Sequence, residues 1–235
     1  GALPGRGGLD VALRPSLAAG RDGIDRAMHG YPYFCLEQQL SVAVALRDTE
    51  RWRAVMEALP SYLDGDGFAR FFPTSGPGSE VLTAYLLAIS EQAKWEIPAA
   101  SRERMLGALT RFAEGSVTKH EAVDAADLPL RKLAAVEALA RHGRATAALV
   151  GALAIEPMLL TNGGLLDWIS VLDRVAGIPQ RETRRREADT LLRARLDVQG
   201  TALGFATSRG GVLDWLLSTT DVAATKLVLS RLGAP

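Results

Sequence analysis

The chain has one cysteine, and a glutamine stands three residues after it, in Tyr31-Pro32-Tyr33-Phe34-Cys35-Leu36-Glu37-Gln38. If a helix begins here, positions i and i+3 share one face and lie a few ångströms apart. A thiolate so placed can attack the Gln38 carboxamide, expel ammonia and close a ring through an internal thioester. Such a bond stores an acylating agent, because a thiolate leaves more readily than an amide nitrogen. Four residues with one free position also recur by chance. On their own they more commonly mean a small buried cysteine beside a surface Glu and Gln. The flanks bear on the choice. Pro32 holds φ and biases Tyr31 toward an extended state. Tyr31, Tyr33 and Phe34 are candidate shields against water, or else core and interface aromatics. Glu37 falls in the first helical turn, where negative charge is favourable.

These side chains need helices to position them, and apolar residues do recur at spacings of three and four through most of the chain. The first helix is expected from Ser16 to about His29. The second runs from Cys35 to about Asp48, with Leu36, Leu40 and Val44 as its stripe. Thr49 is expected to cap a third, to about Leu63, with Pro60 disturbing its last turn. The stretch 64–78 is rich in glycine and proline and reads as a loop. Ser79 caps a helix to about Trp95, and Ser101 caps another that Gly115 stops. Further helices are expected over 127–142, 145–153, 164–176, 180–196 and 220–232, with 198–207 extended. Successive amphipathic helices pack as antiparallel hairpins. Periodicity alone therefore gives an all-α fold.

Composition narrows the function classes. The 235 residues suffice for a sizeable core, and 27 basic residues balance 27 acidic ones. No nucleic-acid partner is expected. The run Arg181, Arg184, Arg185 and Arg186 is interleaved with Glu182 and Glu187, as on a solvated helix face. A single cysteine excludes an internal disulfide framework. No membrane-spanning run is present, so direct membrane insertion by this segment is not expected. No cofactor is expected either. His29, His120 and His142 lack a metal-ligand spacing, so no metal site is expected. Asp64 and Asp66 flank Gly65 in a loop and read as turn residues rather than paired carboxylates. Asp124 and Asp127 make no convincing acidic cluster. Cys35 as a protease nucleophile needs a nearby histidine base; the sequence leaves His29 open for that role and offers nothing in its support.

Tyr31-Pro-Tyr-Phe-Cys-Leu-Glu-Gln38 resembles the thioester signature of bacterial alpha-2-macroglobulins. Leu9-Asp-Val-Ala-Leu-Arg-Pro-Ser-Leu17 resembles the lead-in of that family's thioester domain. Asp66-Gly-Phe-Ala-Arg-Phe-Phe-Pro73 with Leu82-Thr-Ala-Tyr85 is similar to its glycine–aromatic segment and following helix. Leu192-Arg-Ala-Arg-Leu196, Gly200-Thr-Ala-Leu-Gly-Phe-Ala-Thr207 and Trp215-Leu-Leu-Ser-Thr-Thr-Asp-Val222 extend the likeness nearly to the C-terminus. One departure is Phe34, where the family usually has glycine.

The resemblance implies an α/α toroid of antiparallel helical hairpins. It also implies a lead-in over 1–14, a strand or linker from a preceding domain, and a thioester domain over 15–235 of a larger chain. By the same resemblance the site is Cys35 and Gln38, with Tyr31, Tyr33, Phe34 and Glu37 shielding or supporting it. The implied function is broad protease inhibition, not enzymatic turnover. Bait cleavage in another domain exposes the bond, and a lysine amine of the protease attacks the Gln38 acyl carbon. Partners are then target proteases and neighbouring domains, and the compartment is the periplasm. Two alternatives stay open: a covalent surface-tagging module (opsonin- or adhesin-like), and a non-reactive interaction scaffold that has lost the thioester.

Overall fold

The computed structural model describes residues 21–117, 128–199 and 202–205. The expected lead-in over 1–14, the start of the first helix, the helix over 220–232, His120, Asp124 and Asp127 lie outside the described residues. Nine α-helices are described: α1 Arg21–His29, α2 Leu36–Leu46, α3 Thr49–Tyr62, α4 Glu80–Ala93, α5 Ala99–Glu114, α6 Leu128–Arg141, α7 Ala147–Gly151, α8 Asn162–Arg174 and α9 Arg181–Ala194. A 3-10 turn, Pro157–Leu159, precedes α8. A short antiparallel pair, β1 Leu196–Gln199 and β2 Ala202–Phe205, follows α9. It occupies most of the stretch expected to be extended.

Local chemistry sets the helix boundaries. Ser79, Thr146 and Thr161 each accept from a backbone N–H in the first turn they precede, which satisfies a donor that the helix itself leaves unpaired. Two expected caps are displaced. Asp48 rather than Thr49 caps α3, its carboxylate accepting from Arg51 N at 2.9 Å. The fifth helix starts at Ala99 behind Pro98, and Ser101 is buried inside it. Gly115 ends α5 at φ 82°, a left-handed conformation that glycine adopts without steric cost.

The helices pack as an α/α arrangement of hairpins, in which α2, α4, α6 and α8 run side by side in the same direction. At one end, Glu80 in the first turn of α4 pairs with Arg131 in the first turn of α6. At the other, Arg141 reaches Glu91 at 3.0 Å, and the His142 ring meets Leu87 O. The α6–α8 pair repeats the direction, with Gly164 against Leu130 near both N-termini and Ser170 on Glu137 further along. The returning helices α3, α5 and α9 bring the chain back each time. The core forms two clusters that share α6. Ala135, Ala138 and Leu139 join the cluster around Leu36, Phe68 and Phe112. Leu133, Val136 and Ala140 join the one around Trp168, Ile169 and Leu172. A helix apolar on so many sides must sit centrally.

Candidate functional site: the N-terminus of α2

Cys35 is the N-cap of α2, with φ −64° and ψ 164°. Its backbone N–H donates to Gln38 Oε1 at 3.1 Å. Its side chain faces the Gln38 backbone N–H, and the two residues close a capping box. This arrangement usually pairs Ser or Thr at the N-cap with Glu or Gln at the third helical position. Here a thiol takes the hydroxyl's place. The sequence carries a signal for this, a helix-start residue followed three positions later by glutamine.

Neighbouring residues fix the first turn further. Leu36 N donates to Phe71 O at 2.8 Å, which ties α2 to the loop over 64–78. Gln39 Nε2 donates to Phe34 O at 2.7 Å and to the Tyr62 hydroxyl at 3.3 Å. Glu37 is not simply a charge at a helix end. Its carboxylate accepts from Ser41 Oγ at 2.8 Å, and Ser41 Oγ lies 2.7 Å from the Tyr85 hydroxyl. This chain carries α2 across to α4. Burial pushes the Tyr85 phenol above its ordinary value, the Ser41 bond opposes that rise, and the Glu37 charge adds to it.

The loop beside the site is organised by Asp64, a buried residue that does more than shape a turn. Its Oδ1 accepts from Phe68 N at 2.9 Å and its Oδ2 from Gly78 N at 3.1 Å. Its carbonyl accepts from Gly67 N and from Arg104 Nη2. A Cβ on Gly78 would stand 2.5 Å from both Asp64 Oδ2 and Phe68 Cβ, so this position has room for glycine alone. Thr83 adds a second tie, accepting from Ala69 N at 2.8 Å and donating to Ser79 O at 2.6 Å.

The aromatic residues before Cys35 face outward. Phe34 is 72% exposed and Tyr33 62% exposed. Tyr31 and Tyr33 meet edge to face at 5.4 Å, and Phe34 meets Phe72 of the loop at 6.2 Å. Cys35 itself is buried.

Solved structures supply the comparison. Native alpha-2-macroglobulin from Escherichia coli, from domain MG7 to the C-terminus, matches at 18% identity and TM-score 0.65, over 91% of this chain and 35% of that one. The fold is that of a bacterial alpha-2-macroglobulin segment. Salmonella alpha-2-macroglobulin reacted with methylamine matches at 19% identity and TM-score 0.63, over 92% of this chain and 15% of that one. The native conformation of the whole Escherichia coli protein matches at 19% identity and TM-score 0.56, over 73% of this chain and 12% of that one. The match therefore spans 12–15% of the longer alpha-2-macroglobulin chains and about a third of the Escherichia coli segment that begins at MG7. No protein-family model matches the sequence, and no curated protein sequence does.

The expectation of a covalent trap is corrected at this site. Cys35 takes part in no disulfide. Gln38 keeps its carboxamide oxygen on the Cys35 N–H, and the Cys35 sulfur is turned onto the Gln38 N–H. Both groups are occupied in holding a helix end. Among the described residues no group of three or more His, Cys, Asp or Glu side chains is placed to hold a metal ion. His29 lies against Asp25 O of its own helix, and His142, just past α6, against Leu87 O of α4. At 17–19% identity the likeness carries the fold and not the chemistry of the alpha-2-macroglobulins. Thioester chemistry, protease inhibition, lysine-linked protease partners and covalent surface tagging are all set aside on these grounds. Among the described residues no helix is long and apolar enough to cross a membrane.

Proposed function

We propose that this chain is a non-reactive helical scaffold, a segment of a longer alpha-2-macroglobulin-like polypeptide that works by packing against neighbouring domains. One observation carries the reading: the only cysteine and its glutamine are spent on a reciprocal capping box. A cap of this kind contributes about 1 kcal/mol to its helix. It gives the Cys-x-x-Gln spacing a structural purpose that needs no acyl chemistry. The Glu37–Ser41–Tyr85 chain and the Phe71–Leu36 bond support the same view, since each ties α2 rigidly to its neighbours. In this reading residues 15–235 form the scaffold and residues 1–14 lead in from another domain.

Intact mass and thiol titration test the reading. The expected result is the unmodified mass, one thiol titrating in denaturant without any amine, and no mass change on incubation with methylamine. A mass lower by one ammonia, with the thiol appearing only after methylamine, overturns it. We further propose a periplasmic setting, supported by the fold shared with the Escherichia coli and Salmonella proteins. Spheroplast fractionation of the native host checks this, and recovery in the cytosolic fraction sinks it.

A further inference from the structure

Arg184 differs from the other arginines of α9. Arg181, Arg185 and Arg193 pair with Glu182, Asp173 and Asp189, and Arg186 donates to Glu182 O. The Arg184 guanidinium has no such partner among the described residues. It borders a cavity of about 280 Å³ formed by α7, the connection behind it, α8 and the first turns of α9. A second polar group on the same cavity is also unmatched. Trp168, 3% exposed, is part of the wall, and its Nε1 donor has no hydrogen-bond partner. Buried N–H donors without an acceptor are rare in native proteins, and each calls for a partner.

The rest of the wall is apolar. Val150, Leu153, Ile155, Pro157 and Pro179 supply it, and only Trp168, Arg184 and Glu187 bring a polar side-chain group. Water is held well only where about two to four polar partners surround each molecule. A few placed polar groups in an apolar concavity are instead the composition of a small-molecule site. The volume lies at the lower edge of that class and suits a molecule of about ten non-hydrogen atoms.

Position assigns a role to each polar group. Trp168 is buried and so lies on the inner wall, whereas Arg184 is half-buried and Glu187 exposed, which puts them at the mouth. An anion at the mouth can pair with Arg184 and keep part of its water. An anion on the inner wall would lose its water outright. Trp168 therefore suits a neutral acceptor, such as a carbonyl oxygen. The Glu187 carboxylate repels a second negative charge at the mouth, which disfavours phosphates and dicarboxylates.

We propose that this cavity is a binding site for a small monocarboxylate with an apolar chain and one neutral acceptor oxygen. The carboxylate pairs with Arg184, and the acceptor takes the hydrogen bond from Trp168 Nε1. The cavity shares no residue with the α2 site, so it stands whether or not Cys35 and Gln38 react.

Isothermal titration calorimetry of the 235-residue protein tests the site, with linear oxo carboxylates of about five to nine carbons as probes, the length that the cavity holds. Each carries its ketone beside the terminal methyl group. At least one is expected to bind saturably. The same acid without its ketone should bind about ten-fold more weakly. So should the primary amide of the oxo acid, which lacks the charge. Arg184→Gln should lower the oxo acid to the affinity of its amide. Trp168→Phe should erase the difference between the oxo acid and its parent. In proton–nitrogen NMR spectra the Trp168 indole signal, assigned by triple-resonance experiments, should move downfield with the oxo acid and stay in place with the parent. Saturable binding by none of the series overturns the proposal. Equal affinity of oxo acid and parent for the unaltered protein also overturns it, since the indole N–H is then served by water. Full affinity in Arg184→Gln does the same. Should Trp168→Phe fail to fold, the Arg184 variant and the indole shift in the unaltered protein still decide.

Discussion

Asp167→Asn should stabilise the protein at neutral pH and flatten part of its pH dependence. Asp167 lies in α8, where α8 meets α6. Burial and then the negative charge of Glu137 push its carboxyl from 3.8 up to about 8, against a smaller opposing pull from Arg141. The surrounding charges are already committed. Glu137 accepts from Arg141 Nε at 2.6 Å and Ser170 Oγ at 2.7 Å, and Glu91 holds Arg141 and Arg174. In the unfolded chain the carboxyl loses its proton near 3.8, while in the folded chain it keeps it to about 8. The stability this group contributes is therefore full below its unfolded value. It is lost progressively as pH rises from about 4 to about 8, and is level above that. At pH 7 roughly three units of this interval have been crossed, which at about 1.4 kcal/mol per unit is on the order of 4 kcal/mol.

Asp167 is only half-buried, and water screens part of that cost. Halving it leaves about 2 kcal/mol as the expected gain from an uncharged side chain of the same shape. Urea unfolding at several pH values, for wild type and Asp167→Asn, reads the effect directly. The two stabilities should nearly coincide around pH 4 and diverge to about 2 kcal/mol in favour of the variant by about pH 8. A difference that does not change with pH would refute the reasoning, because an isosteric swap without linkage acts equally at every pH.

Other substitutions address the elements around the site. Gly78→Ala should cost about 1–3 kcal/mol, since the new methyl overlaps Asp64 Oδ2 and Phe68 Cβ well inside van der Waals contact; an unchanged urea midpoint would mean the Asp64 loop can shift freely. Arg131→Met should cost about 3–5 kcal/mol by leaving Glu80 buried without its partner. Adding Glu80→Gln should return much of that loss, and a strictly additive double variant would deny the pairing. Cys35→Ser should leave α2 as stable or stabilise it by a few tenths of a kcal/mol, a hydroxyl being the better N-cap acceptor, while Gln38→Ala should lose about 1 kcal/mol. Thermal melts of both variants check this, and marked destabilisation by Cys35→Ser would contradict the capping role.

Much of this architecture was legible from apolar spacing, because long amphipathic helices announce themselves. The Leu36–Leu40 stripe is fully buried, and Ser79 and Gly115 mark helix ends where they were expected. The errors cluster where two residues competed for one local job. Asp48 and Thr49 are both good caps, and only the position of the next N–H decides between them. Ser101 resembled a cap but lies within a helix that Pro98 introduces. The 3-10 turn at Met158–Leu159 was invisible, since it is fixed by Arg195 from 35 or more residues away and not by its own sequence.

The site shows the same ambiguity in sharper form. A cysteine and a glutamine at i and i+3 of a helix start are brought together by helix geometry, whatever they then do. Spacing therefore predicts proximity and says nothing of which atoms face each other. Reactivity would need the sulfur directed at the amide carbon. Capping needs the sulfur on one backbone N–H and the amide oxygen on the other, and that is how both are arranged here. Tyr33 and Phe34 are exposed, at an end of the toroid where Met158 and Leu159 are also exposed. The foot of α2 is held twice over, by its capping box and by the bond from Leu36 N to Phe71 O.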